Sequence, residues 1–237
     1  MKAIKLLLAL ISFSSLSISA NMEALDFSQG TFCPESPKAQ LRGGLFYLPN
    51  NTEPYSGEAL CSYLTNGQHS LRGRIKNGLP VGEWLEWDVN GQIRSKKNFL
   101  NGSLNGPFTN WGRNGQINTK GFFKDGRRHG VFIEYYESGK ILSEGKYIKD
   151  YRAGEWKFWY ESGQLKSKGF FKEGQRHGLF VEYYDSGQIT SKGKWNDSAR
   201  TGEWKFWYEN GQLESKGFYK HNQPDGFFVK YYDSGQI

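Results

Sequence analysis

Four histidines are the side chains best suited to act as general bases: His69, His129, His177 and His221. Nucleophilic catalysis needs such a base beside a serine or a cysteine. His129 and His177, however, occupy one position of a 24-residue repeat. Other units fill that position with Val81, Asn105, Ala153, Thr201 and Asp225. It is therefore a variable loop position. We assign no catalytic residue and predict a protein that is not an enzyme.

Two glutamates, Glu134 and Glu182, could be imagined as a catalytic pair. They lie one 48-residue block apart, which corresponds to about 19 Å across four strand spacings. Glycoside hydrolysis uses carboxyl groups that are closer together. Two distant cysteines and scattered histidines do not form a metal-ligand set, and no glycine-rich run leads into Lys-Ser or Lys-Thr and a helix. We therefore predict neither a metal site nor a cofactor site.

Cys33 and Cys61 are the only cysteines of the chain. An oxidising compartment would allow them to form one disulfide. The alternative is a pair of unpaired buried thiols. Mass measurement with and without reductant distinguishes the two states.

The first 20 residues have the layout of a secretory signal peptide. Lys2 and Lys5 precede an apolar run from residue 6 to residue 16, and small residues follow up to Ala20. The run is shorter than the roughly 20 apolar residues that a spanning helix needs, so an uncleaved anchor is the weaker alternative. We expect an exported protein that is periplasmic, on the cell surface or secreted.

Glycine recurs with a fixed period of 24 residues, which indicates a repeat protein. One series starts at Gly82, a second at Gly67 and a third at Gly73. The chain is also rich in aromatic residues, with 17 Phe, 14 Tyr and 8 Trp. This balance suits strands joined by tight turns. The predicted fold is therefore all-β, an elongated antiparallel meander of β-hairpins in an open twisted sheet.

The unit that begins at Gly154 predicts the pairing within one hairpin. A strand over residues 155–160 is followed by Ser162-Gly163, a pair typical of a hairpin turn. With a two-residue turn, Tyr160 would face Leu165, Phe158 would face Ser167 and Trp156 would face Gly169. Two faces follow from this register. Face one carries Trp156, Phe158, Tyr160, Leu165 and Phe171, and face two carries Glu155, Lys157, Trp159, Lys166 and Lys168.

The third glycine series has a packing role in this register. A strand glycine lets the opposing Trp or Phe lie across the backbone. Lys97 is the one exception in the series, and it faces Trp84. We therefore expect a local distortion at Lys97.

Three segments are predicted: a signal peptide over residues 1–20, a capping segment over 21–56 and the hairpin array over 57–237. The last hairpin stops at Ile237, where other units continue into a second strand. Its first strand would then be an open edge, and such edges permit self-association. A truncated product or a frayed end is the alternative.

The unit from Gly154 to Gly178 resembles the MORN-repeat variant of bacterial proteins. Its pattern is G-x-W-x-x-W/Y-Y-x-x-G-x-L/I-x-S-x-G, and the resemblance covers residues 57 to 237. Many such proteins are grouped as the YwqK-like antitoxin family, whose entry segment resembles residues 44–57. The resemblance implies the hairpin fold, a role in protein scaffolding and contact with phospholipid. The antitoxin grouping implies neutralisation of a partner toxin.

The functional predictions are therefore binding functions. Charge is +7 overall, but lysines and glutamates are interspersed, which argues against a nucleic-acid partner. The first hypothesis is a protein-interaction scaffold or an antitoxin-like immunity module. The second is binding of anionic phospholipid or cell-wall glycan by aromatic residues on the lysine-bearing face. These are Trp87, Trp111, Tyr135, Trp159, Tyr183, Trp207 and Tyr231. Stacking between neighbouring members, which would stabilise the sheet, is the alternative role of these residues.

Overall fold

The computed structural model describes residues 31–32 and 40–237. This part of the chain contains strands and turns and no helix, so it contains no helix long and apolar enough to cross a membrane. The predicted signal peptide and Cys33 lie outside the described residues. The strands are β1 (Thr31–Phe32), β2 (Gln40–Arg42), β3 (Leu45–Tyr47), β4 (Gly57–Tyr63), β5 (His69–Lys76), β6 (Leu79–Trp87), β7 (Ile93–Leu100), β8 (Ser103–Leu104), β9 (Gly106–Trp111), β10 (Ile117–Lys124), β11 (Arg127–Arg128), β12 (Gly130–Tyr135), β13 (Ile141–Ile148), β14 (Tyr151–Trp159), β15 (Leu165–Lys172), β16 (Gln175–Tyr183), β17 (Ile189–Asn196), β18 (Ala199–Trp207), β19 (Leu213–Lys220) and β20 (Gln223–Lys230).

The chain divides into two compact units. Among the described residues, unit 1 contains those up to Gly115 together with Phe123–Arg127, and unit 2 contains Gln116–Phe122 and Arg128–Ile237. Each unit is an antiparallel meander of hairpins in an open sheet. The predicted fold class is confirmed.

In unit 1, strands β4 to β7 pair in chain order, and β1 pairs with the outer side of β4. The β2–β3 hairpin belongs to the predicted capping segment. Its Phe46 is buried in one cluster with Cys61, Ile75 and Trp84, and the Phe46 N–H donates to the Gly78 carbonyl at 2.9 Å. These contacts attach the hairpin to the unit 1 core.

In unit 2, β10 pairs with β12, and β12 to β20 pair in chain order. Trp156 pairs with Gly169 and Phe158 with Ser167, as predicted. Among the described residues, β20 pairs only with β19. Trp156, Phe171, Phe180 and other face-one aromatics are buried, whereas face two carries the exposed Lys157 and Phe170.

The predicted turn at Ser162-Gly163 is one residue longer than expected. The Tyr160 N–H donates to the Gln164 carbonyl, and the Gly163 N–H donates to the Tyr160 carbonyl, both at 2.9 Å. Three residues therefore lie in the loop, and Gly163 has the positive φ of 100° that closes it with a bulge. Trp159 rather than Tyr160 faces Leu165 as a result. The predicted Tyr160–Leu165 pair is wrong.

The two-residue turns lie at the opposite ends of the strands. Lys172 pairs with Gln175 around Glu173-Gly174, which have φ values of 50° and 82°. Two successive positive φ angles define a type I′ turn, whose twist suits a hairpin. Asn77-Gly78 has the same conformation, and so does Lys149-Asp150, which contains no glycine.

The third glycine series lies beneath aromatic rings, as predicted. Each ring, however, covers the glycine on the strand before its own, whereas the prediction placed it over the glycine on the strand after its own. A Cβ atom added at Gly145 would overlap the Trp156 ring, and one added at Gly169 would overlap the Phe180 ring. Trp156 thus covers the glycine on β13, although it also pairs with Gly169 on β15. The packing follows the strand before the Trp, not the strand after it.

Lys97 occupies the place of a covered glycine, and the sheet is irregular there. Its Nζ atom forms a half-buried ion pair with Glu86 at 2.7 Å. The strand that would pack a ring over this position is divided into β8 and β9, as the next strand is divided into β11 and β12. Its Phe108 is only half-buried, whereas Phe132 and Trp156 at the corresponding positions are buried. Gly106, the first residue of β9, has a φ of 121°, whereas Gly130, Gly154 and Gly178 at the same repeat position have φ values of 71° to 78°. The expected distortion is therefore present on the strand after Lys97 and not at Trp84, which is fully buried.

Candidate binding surface

The predicted aromatic residues lie at corresponding ends of alternate strands. Six of them are the last residue of β6, β9, β12, β14, β16 or β18, and Tyr231 follows β20. All seven are half-buried. Lys120 Nζ lies 5.5 Å from the centre of the Tyr135 ring, which places this aromatic residue beside the lysines of face two. The structure thus aligns the residues but leaves only part of each ring open to a ligand.

Neighbouring members of this series do not stack on one another. Within one unit they lie two strands apart, about 9.6 Å, whereas interacting rings have centroids within about 7 Å. Among the described residues, no ring pair joins two members, and Trp87 instead lies 6.3 Å from the His69 ring. This spacing argues against stacking between neighbouring members as the role of these residues.

The next residue along each strand forms a bond that sequence reasoning missed. The Tyr160 hydroxyl donates to the backbone carbonyl of Tyr183 at 2.8 Å, which joins one hairpin to the next. The residues at 136, 184 and 208 repeat this bond to carbonyls 23 positions ahead. We call Tyr136, Tyr160, Tyr184 and Tyr208 the tyrosine staples. Their 24-residue spacing was the available signal.

Three of the staples, Tyr136, Tyr160 and Tyr208, have a raised pKa. Burial, followed by the charge of nearby carboxylates such as Asp185, raises the pKa of Tyr160. Burial with Glu161 raises the pKa of Tyr136, and burial with Glu214 raises the pKa of Tyr208. In each case the neutral, hydrogen-bonding phenol is favoured.

A band of lysines crosses face two of unit 2. Lys157 pairs directly with Lys168, and Lys205 pairs with both Lys192 and Lys216. Like charges that face each other on a sheet are destabilising. Lys157 and Lys205 each lie near a glutamate of their own strand, at 3.8 Å and 3.3 Å. We call these five residues the lysine band, and it could attract anionic groups.

Face one of unit 2 carries a row of arginines over its aromatic core. We call Arg128, Arg152, Arg176 and Arg200 the arginine row; they recur every 24 residues. The Arg152 guanidinium lies 4.5 Å from the Trp156 ring centre, and Arg200 lies 4.7 Å from that of Trp204. Both tryptophans are almost fully buried. The arginines therefore form the accessible layer above a rigid aromatic floor.

The members of the arginine row differ in their carboxylate partners. Arg128 pairs with Asp150 at 3.3 Å, and Arg176 lies 3.8 Å from Glu182. The strands of Arg152 and Arg200 carry Phe158 and Phe206 at the position of Glu182. Each of these two guanidiniums lies within 5.6 Å of that phenylalanine ring. Within the part of the chain that the structure describes, every second arginine thus contacts aromatic rings without a carboxylate partner. Sequence reasoning missed this row.

The glutamates considered for catalysis form hydrogen bonds with buried serines. Glu134 accepts from Ser143 at 2.7 Å, and Glu182 accepts from Ser191 at 2.9 Å. Ser143 is 1% exposed. Each carboxylate therefore serves to satisfy a buried hydroxyl of the adjacent strand.

The histidines occupy separate places. His69 Nδ1 lies 3.3 Å from the Ser62 hydroxyl on an exposed part of unit 1, a Ser–His contact that sequence reasoning did not anticipate. His177 Nδ1 lies 3.6 Å from Asp197, and His221 is in a type I′ turn with φ of 50°. Among the described residues, no group of three or more His, Cys, Asp or Glu side chains could hold a metal ion.

Cys61 lies in the core of unit 1, where it is 1% exposed. It neighbours Ala59 and Leu71 within the same buried cluster. Cys33, its predicted disulfide partner, lies outside the described residues, so the bond stays a prediction.

Comparison with protein families identifies the repeats. Five segments match the family described as MORN repeat variant: residues 80–101, 128–149, 152–173, 176–197 and 200–221. The first lies in unit 1 and the other four in unit 2. The unmatched stretch between 101 and 128 includes the divided strand that follows Lys97. No curated protein matches the chain. These five segments are therefore similar to MORN-variant repeats, in agreement with the resemblance of the 24-residue unit.

Proposed function

We propose that this is an exported, non-enzymatic scaffold that binds a protein partner through the arginine row of unit 2. MORN repeats suggest a repeat protein with binding roles. The observation that supports a protein partner is the placement of Arg152 and Arg200 over buried tryptophans, with no carboxylate of the described residues within salt-bridge distance. Arginine and aromatic residues dominate binding energy at protein interfaces. The partner surface would be acidic, because it would supply the missing carboxylates.

Affinity capture from envelope extracts tests this proposal. The wild-type protein should retain a saturable protein partner. The variant with Arg152→Ala and Arg200→Ala should lose it, because truncation of an interface arginine commonly costs 2 kcal/mol or more. The control is Lys172→Ala with Lys220→Ala, which removes two exposed positive charges near the same turns. No saturable partner, or equal capture by both variants, would contradict the proposal.

An antitoxin-like role is the narrower form of this proposal. The resemblance to the YwqK-like family supports it, and a toxin encoded by a neighbouring gene would be the partner. Co-expression should protect cells from that toxin, and the two arginine substitutions should abolish protection. Protection that survives these substitutions would exclude the arginine row as the toxin-binding surface.

Export from the cytoplasm is a further part of this proposal. The basic and apolar segments before Ala20 support it. Cell fractionation and N-terminal sequencing should recover a mature protein that begins at Asn21 from outside the cytoplasm. Recovery of a cytoplasmic protein with Met1 intact would contradict export.

A second candidate function is binding of an anionic glycan or phospholipid. The lysine band supports it, because it sets like charges opposite one another beside half-buried aromatics such as Trp159. Replacement of Lys168, Lys192 and Lys216 by Gln should abolish binding to acidic polysaccharide or to anionic vesicles. Replacement of Trp159 and Trp207 by Ser should reduce glycan binding with little effect on melting temperature. Unchanged binding in both variants would exclude this candidate.

A further inference from the structure

A transverse row of exposed residues crosses face two of unit 2, with one residue from each successive strand. It lies beside the lysine band, nearer to the type I′ turns. Direct strand pairs place Val131 beside Lys146, Glu155 beside Phe170, Leu179 beside Lys194 and Glu203 beside Phe218. In order across the sheet the row is Phe122, Val131, Lys146, Glu155, Phe170, Leu179, Lys194, Glu203, Phe218 and Phe227, and all ten residues are exposed.

The row has a period of four strands. Two apolar residues are followed by a lysine and a glutamate, and the pattern then begins again. Phe122 and Phe170 are therefore about 19 Å apart. The apolar members are unusually open, and Phe218 and Phe227 are 54% and 95% exposed. Exposed apolar residues grouped in this way mark interaction surfaces.

Two copies of the row that run in opposite directions are complementary, because lysines then face glutamates and apolar residues face apolar residues. Consider a two-fold axis that lies over face two, parallel to the strands and between Phe170 and Leu179. Rotation about this axis places face two of a second copy against face two of the first, with the two rows running in opposite directions. Lys194 of one copy then faces Glu155 of the other, and Lys146 faces Glu203. The apolar pairs meet apolar pairs along the whole row. Two-fold dimers require a self-complementary patch of this kind.

We propose that unit 2 forms a face-to-face dimer with a second copy of this chain through this row. Four ion pairs would form, because the symmetry generates each of the two Lys–Glu contacts twice. The adjacent lysine band neither favours nor opposes this dimer. The same axis places Lys157 opposite Lys192, which is repulsive, and Lys205 opposite Glu144, which is attractive. The dimer leaves the arginine row on face one accessible, so this inference goes beyond the proposed function and does not depend on it.

Charge reversal tests the dimer through its specific pairing. In sedimentation velocity experiments over a range of concentrations, the wild-type protein should dimerise. Lys194→Glu should weaken the dimer at least about tenfold, because like charges placed opposite at an interface cost several kcal/mol. Glu155→Lys should do the same. An equimolar mixture of the two variants should restore dimerisation, since every reversed residue then faces an opposite charge.

Two further variants complete the experiment. Lys172→Glu makes the same charge change on an exposed lysine outside the row, and its dimer should match that of the wild type. Lys230→Pro removes a backbone N–H that points away from β19, because the neighbouring Tyr231 N–H donates to Glu214 on that strand. It tests pairing through the open edge of β20, so it should not affect the dimer. A wild-type monomer at all concentrations would overturn the proposal. So would a dimer that is insensitive to Lys194→Glu, or a mixture that does not recover.

Discussion

Glycine in the middle of a strand normally weakens a sheet, because it has no side chain to pack. Gly145 and Gly169 act differently, since an aromatic ring of the following strand lies directly over each backbone. The ring gains contact that a Cβ atom would prevent. The periodic glycines could be read from the sequence, and so could their pairing with aromatics. The sequence could not show which of the two neighbouring glycines each ring covers, because both choices satisfy the same register.

Gly145→Ala should destabilise the protein by about 1 to 3 kcal/mol, because the added methyl group overlaps the Trp156 ring. Urea unfolding measures the change. Combined with Trp156→Leu, the same substitution should cost much less, since the obstacle is absent. Gly154→Ala is the control, because its φ of 71° and open surroundings make its cost independent of Trp156. Equal costs of Gly145→Ala with and without the tryptophan would contradict this account.

The tyrosine staples predict a second effect at the residue scale. Tyr160→Phe should cost about 0.5 to 1.5 kcal/mol, because it removes one hydrogen bond to the Tyr183 carbonyl. Tyr232→Phe is the matched control, since Tyr232 is 67% exposed and lies beyond the last staple. If both substitutions have the same effect on unfolding, the hydroxyl bond does not contribute.

The staples also predict a dependence on alkaline pH. A folded-state pKa raised above the ordinary value of about 10 gives stability that is fully present below pH 10 and is lost as pH rises through the folded pKa. Burial is the main cause for Tyr136, Tyr160 and Tyr208. Their combined replacement by Phe should therefore flatten the decline of unfolding free energy above about pH 10. A decline as steep as that of the wild type would refute this role.

At the scale of the element, each hairpin has two kinds of turn. The three-residue turn at Gly163 follows a visible Ser-Gly or Asn-Gly pattern, although its extra residue could not be read from the sequence. The type I′ turns were missed because only some contain glycine. Glu173-Gly174 and Lys149-Asp150 adopt nearly the same φ values with different residues. There the pairing of long flanking strands, and not the turn residues, determines the conformation.

Glu173→Asn should stabilise the protein by about 0.5 to 1 kcal/mol. Glu173 has a φ of 50°, a region that costs most residues about 1 to 2 kcal/mol and that asparagine adopts more readily. Thermal unfolding measures the gain. Glu161→Asn provides the comparison, because Glu161 is in the three-residue turn and does not have a positive φ. An equal gain at Glu161 would show that turn conformation is not the cause.

At the scale of the whole molecule, the sequence predicted one array over residues 57–237, whereas the described residues form two compact units, of which the first contains residues up to Gly115 together with Phe123–Arg127. Lys97 was the visible signal of irregularity, but the sequence could not show that Phe108 would be only half-buried when its glycine is absent. The binding surfaces were predicted only in part. The aromatic series and the lysines could be assigned to face two from their spacing. The arginine row could not be placed over the rings, because this depends on long side chains.

The predicted disulfide belongs to unit 1 as a whole. Cys61 is buried among Ala59, Leu71 and Trp84, so a bond to Cys33 would tie the N-terminal segment to that core. The mass of the exported protein without reductant should be two hydrogen masses below that of the reduced protein. Cys33→Ser should lower the melting temperature, since loss of a native disulfide typically costs about 2 to 5 kcal/mol. Equal masses would exclude the bond.

The alternation between successive hairpins restricts how the gene can change length. Hairpins with Phe158 or Phe206 beneath an arginine alternate with hairpins that carry Glu134 or Glu182. Repeat stability is nearly a sum of units and neighbour contacts, so recombination between similar repeats should yield folded chains of altered copy number. Gain or loss of two hairpins preserves the alternation, whereas gain or loss of one places two hairpins of the same kind side by side. Length variants that differ by 48 residues should therefore be tolerated more often than those that differ by 24.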